Sequence, residues 1–107
     1  MPSASPPEGV FAALAHPTRW ELLTLLAERG DSTATALARE LPVSRVAVVK
    51  HLAVLDRAGL VGARRSGREV RFAVRPGPLD ATARWMAAVA ADWDARLAAI
   101  KRLAEDG

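Results

Sequence analysis

The apolar positions of this chain follow two different periods. From Glu8 to Ala58 they recur every three or four residues, the spacing of one face of a helix. A first helix is predicted over 8–15, ending at His16-Pro17. Pro17 suits the first position of a second helix, which runs to about Glu28 with Leu22, Leu23, Leu25 and Leu26 as core candidates and Gly30 as its stop. Thr33 is a good N-cap for a third helix that carries Ala34, Leu37, Ala38 and Leu41 on one face and ends at Pro42. Ser44 caps a fourth, running to about Ala58 with Gly59 as terminator.

The period then drops to two. Val70, Phe72 and Val74 alternate with Arg71, Ala73 and Arg75, and residues 60–65 supply a partner strand, with Ser66-Gly67-Arg68 as the turn. Pro76-Gly77-Pro78 is punctuation before a last helix over about Leu79–Ala104. Short helix, tight turn and second helix form a helix-turn-helix, and the added hairpin makes it winged. The expected class is mainly α with a small β-hairpin: about five helices and a two-stranded wing. Residues 1–8 read as a disordered lead-in and 9–105 as one domain.

The fourth helix does not sort into one apolar and one polar face. Val48, Leu52 and Leu55 share the core side, while Val46 and Val49 stand with Arg45 and Lys50. Charge sharpens the picture. The chain carries only +3 overall, but residues 44–75 hold eight Lys/Arg against Asp56 and Glu69, a balance of +6, leaving −3 elsewhere. One segment is suited to a polyanion and the rest is not.

Other chemistry is scarce. The absence of Cys excludes disulfides, thiolate metal sites and a Cys nucleophile. No Gly-rich phosphate loop, G-x-S-x-G or H-E-x-x-H is present. Asp92 and Asp94, two apart on a helix, point in different directions. An enzyme is not expected, nor a cofactor. The opening MPSASPPEG lacks the basic and apolar regions of a secretory signal, and no apolar run is long enough to span a membrane, so the expected location is the cytoplasm.

Several stretches resemble the ArsR-type winged-helix repressors: ALAHPTRWELLTLL at 13–26, LARELPVSRVAVVKHLAVLDRAGLV at 37–61 and GREVRFAV at 67–74. WDARLAAIKRLAE at 93–105 is similar to the last helix of a metal-independent branch. The resemblance covers about 9–105 and implies a cytoplasmic homodimer that binds an inverted-repeat operator and represses transcription. Relatives of the close branch carry polar residues where Val46 and Val49 stand. The Cys-x-Cys of the founding metal sensors is absent, with residues such as Val48 and Lys50 in its place. Zinc sensing between C-terminal helices needs His with Asp or Glu, and the last helix has no His.

Helix-turn-helix docking places the N-terminal end of the recognition helix in the major groove, giving Ser44, Arg45, Val46, Val49 and Lys50 as DNA-facing candidates. Arg45 could meet guanine or phosphate, Lys50 a phosphate, and the two valines thymine methyls. His51 reads first as a half-buried packing or backbone-bonding group; the resemblance adds a phosphate contact. Arg64, Arg65 and Arg68 around Gly67 suit a minor groove or phosphates, or else protect a sheet edge. Glu69 is expected to pair with one of these arginines. Met86, Val89, Trp93, Leu97 and Ile100 form a stripe on the last helix that, with Trp85 and with Val10, Phe11 and Leu14 of the first helix, makes a candidate dimer interface. Trp20 fits core or interface. The expected partners are operator DNA and a second copy, with no effector indicated. The alternative is a winged-helix module that binds protein, which the +6 segment disfavours.

Overall fold

The computed structural model describes residues 7–106; most of the predicted lead-in lies outside that range. The order is α1 (Glu8–Leu14), α2 (Pro17–Arg29), β1 (Ser32–Thr33), α3 (Ala34–Ala38), α4 (Arg45–Arg57), β2 (Val61–Ser66), β3 (Glu69–Val74) and α5 (Pro76–Asp106). Helix α1 begins at Glu8, where the predicted first helix begins.

The local chemistry explains most boundaries. His16 N-caps α2 by accepting the Thr18 amide at Nδ1, with Pro17 at the first helical position. Arg19 turns back and donates to the carbonyls of Ala13 and Ala12 at the end of α1, the second of which also accepts the Ala15 amide at 3.3 Å. Thr33 and Ser44 cap α3 and α4 with their hydroxyls, accepting from Ala36 and Ala47 at 3.1 Å each. Gly59 at φ 77° closes α4 in a Schellman motif: its amide donates to Asp56 and that of Leu60 to Leu55, both at 2.9 Å.

Three boundaries differ from the sequence reading. Helix α3 stops at Ala38, not Leu41: the Glu40 amide reaches back only three residues, to Leu37 at 3.1 Å, and Pro42 disfavours helical backbone at Leu41. The hairpin is tighter, with Ser66 paired to Glu69 and only Gly67 and Arg68 in the turn; Gly67 supplies the positive φ, 63°, that the turn requires. Pro76-Gly77-Pro78 forms the first turn of α5 and does not precede it, since the first-turn amides that proline lacks have no helical acceptor anyway.

The wing is also broader than a hairpin. Ser32 and Thr33 pair antiparallel with Phe72 and Arg71, giving a three-stranded sheet in the order β1-β3-β2. Two residues carry no readable alternation, and Thr33 advertises its role as a cap.

Leu22, Leu26, Leu37, Val48, Leu52, Leu55, Leu60 and Val61 are the largest fully buried side chains. Leu25, Ala38 and Leu41 pack at its margin with Phe72 and Val74. This core fixes α4 and the wing relative to each other. Helix α5 is different: only Thr82 is buried along its 31 residues. Its far half projects from the body, so the molecule measures 69 × 26 × 20 Å, with a radius of gyration of 18.9 Å. A compact chain of this length would have about 13 Å.

Candidate nucleic-acid interface

With Val48, Leu52 and Leu55 turned inward, α4 presents Arg45, Val46, Val49 and Lys50 on its outer side. Val46 is 62% exposed and Val49 41%. Arg45 is not loose: its Nε donates to the Thr35 hydroxyl at 3.0 Å, which orients the remaining guanidinium N–H groups from the side of α3. Ser44 spends its hydroxyl on the cap, leaving its exposed backbone at the helix start.

His51 is half-buried and packs on His16, ring centroids 4.4 Å apart. Burial, reinforced by His16 and Arg19, holds its pKa below the ordinary imidazole value, so the neutral form is favoured. This is the half-buried packing position that the sequence suggested for this residue.

In the wing, Arg65, Gly67 and Arg68 are exposed at or near the tip. Arg64 is exposed but engaged. It stands directly opposite Arg71 across the β2–β3 ladder, a like-charge pair that destabilises a sheet on its own. Asp31, just before β1, resolves the conflict. Its carboxylate accepts from Arg64 at 2.7 Å and from Arg71 at 3.4 Å, and its carbonyl accepts from Arg71 at 3.1 Å. The bonds from Arg64 and Arg71 hold the Asp31 carboxyl below the usual carboxylate range and raise the Arg71 guanidinium. Glu69 completes the arrangement by accepting from Arg71 at 3.1 Å, so it orients a mid-strand arginine, not one at the tip.

Between recognition helix and wing lies a cleft of about 540 Å³ that Arg45, Val49, Arg68 and Val70 share with Thr35 and Arg39. Sequence reading passed over Asp31 and Arg39. The isolated acid before the cap, and the cation following α3, were the available signals.

A helix-turn-helix domain model matches residues 14–61. An ArsR-like transcriptional regulator from Rhodococcus sp. RHA1 has a similar structure, with TM-score 0.83, 48% identity and 91% of each chain covered. The transcriptional repressor SdpR of Bacillus subtilis is 31% identical over 77 residues, covering 72% of this chain and 84% of its own. The chain belongs to the ArsR-type helix-turn-helix transcriptional regulators. A similar regulator of Mycobacterium tuberculosis, itself uncharacterized, is 38% identical over 64 residues, but that match spans only 56% of its length.

Regulators of this family bind DNA and usually act as dimers. Among the described residues no group of three His, Asp or Glu side chains could hold a metal ion, and the sequence has no cysteine to add. No helix among them is long and apolar enough to cross a membrane. The stripe on α5 lies open: Met86, Trp93, Leu97 and Ile100 are exposed, as is Leu103, while Val89 and Trp85 are half-buried. Phe11 of α1 meets Trp85 edge-on at 6.0 Å and continues that surface. Val10 does not join it, being 7% exposed within its own core, and Leu14 packs partly against that core. Trp20 is 58% exposed, which removes it from the core.

Proposed function

We propose that this ArsR-type regulator is a cytoplasmic homodimeric repressor that binds an inverted-repeat operator. Its domain is taken to span 9–105, with α1 and α5 forming the subunit contact. The observation that carries the reading is the division of the surface. A cationic face joins the start of α4 to the wing tip, and a separate apolar stripe on α5 lacks cover in the single chain. Exposed apolar surface of that extent marks an interaction site.

Two recognition helices then enter successive major grooves about 34–36 Å apart. Arg45, Val46, Val49 and Lys50 face the groove, Ser44 offers backbone to its rim, and Arg65, Gly67 and Arg68 reach the flanking backbone. Arg64, held by Asp31, adds positive charge beside them without a phosphate contact of its own. Arg39 joins them as a phosphate contact. Repression follows from occupation of promoter DNA. Selection of bound duplexes from a random pool tests the reading. Enriched sequences with two symmetric half-sites are expected; no enrichment at low salt, or single unpaired sites, would overturn it.

A further inference from the structure

The apolar face of β3 continues past the core. Val74 and Phe72 pack against the buried cluster, but Val70, next on the same face, is 39% exposed. Val49 of α4 also reaches the cleft between wing and recognition helix and is likewise uncovered. The cleft thus has an apolar lining of Val49, Val70 and Phe72, whereas Arg39, Arg45 and Arg68 supply cations. Glu69, the acid beside them, is engaged with Arg71. The volume of about 540 Å³ falls in the range of small-molecule sites, about 300–1,000 Å³.

We propose that this cleft binds a small organic anion with a flat apolar body, and that its occupation competes with DNA. The competition rests on the DNA-binding reading given above. A phosphodiester satisfies the arginines but gains nothing from two valines and a phenylalanine; a neutral apolar molecule leaves three guanidiniums unused. An aromatic carboxylate uses both. Its ring covers apolar surface that would otherwise face water, and its two oxygens accept from guanidinium N–H groups. Arg45, Val49 and Arg68 are also assigned to DNA. They cannot serve both partners at once, so the ligand releases DNA by direct competition, without a change of fold.

The test uses the full isotope-labelled chain and 2-naphthoate as probe, followed by amide NMR. Saturable shifts are expected at Ala36, Val49 and Val70. The neutral 2-naphthalenemethanol should bind about tenfold more weakly or worse, as loss of charge-assisted bonds implies, and acetate at matched ionic strength should have no effect. Val70→Asp should abolish the shifts, and Arg39→Gln should weaken binding about tenfold. In a mobility-shift assay, saturating 2-naphthoate should lower DNA affinity several-fold for the native chain and leave that of Val70→Asp unchanged. Shifts confined to α5, equal affinity for the alcohol, or no shift at all would overturn the site. Binding in the cleft without displacement of DNA would overturn the competition. A chain that bound naphthoate but no duplex would instead refute the DNA-binding reading and leave the site standing.

Discussion

Arg64 of the wing donates to the carboxylate of Asp31 at 2.7 Å across 33 residues of sequence. That carboxylate also receives Arg71, so one acid separates two cations that the strand register sets opposite each other. Asp31→Asn should release Arg64 to phosphate. Sequence-independent binding should then strengthen at low salt, and the slope of log affinity against log salt should steepen by about one. Amide exchange at Ser32 and Thr33 should quicken in the same variant. An unchanged slope would mean that Arg64 already serves DNA while paired.

Arg45 and Arg68 should behave differently from each other. Arg68 sits in the exposed turn, and its replacement by Ala should weaken binding to all sequences alike. Arg45 is steered by Thr35, so Arg45→Ala should also relax sequence preference, by about 1–3 kcal/mol at one base pair. Thr35→Val should reproduce part of that relaxation. Quantitative binding to selected and random duplexes checks both, and equal losses on both duplexes for Arg45→Ala would remove it as a base reader.

The two sides of α4 carry different costs. Leu52 is fully buried, and Leu52→Ala should destabilise the fold by about 2–5 kcal/mol. Val46 is mostly exposed, and Val46→Ala should change stability by no more than about 0.5 kcal/mol. The same Val46 change should nonetheless alter operator preference. Denaturant melts and duplex selection together separate the two effects.

Leu97→Glu places a charge in the middle of the open stripe on α5. It should convert the proposed dimer to monomer in sedimentation, with helix content retained. Operator affinity should fall far more than affinity for a single half-site. A dimer that survives the substitution would move the subunit contact elsewhere.

Stability should fall as pH drops through the imidazole range. Burial depresses the His51 pKa in the folded chain, so between that value and about 6.5 the unfolded chain binds more protons. Folding therefore weakens on acidification from neutral pH towards the folded pKa. His51→Gln should flatten that part of the profile in thermal melts at pH 7.5 and 5.5. An unaltered pH dependence would assign the effect to another group.

Much of the fold was legible because its signals are local. Thr33 and Ser44 cap where their hydroxyls suggest, and Gly59 ends α4 where a positive φ is needed. The recognition helix could be oriented from Val48, Leu52 and Leu55 alone. What escaped depends on distant partners. Strand β1 exists because β3 lies beside it, Asp31 matters because two strands meet over it, and Val10 is buried by packing that periodicity does not reveal. The Pro-Gly-Pro of α5 misled for a different reason: proline breaks a helix in its interior but is tolerated in its first turn.

The contacts around His16 have a mechanical consequence. Its ring starts α2 and rests on His51 of α4, and three residues on, Arg19 holds the end of α1. The segment proposed to touch the partner subunit is thus joined to the reading helix through this corner and through Val10 and Ala13, which share a buried core with Val48, Leu52 and Leu55. Two such chains clasped along α1 and α5 would behave like a caliper with a locked hinge, whose jaw separation is set by the subunit contact. Operators with altered half-site spacing would then be rejected by geometry before any base is read.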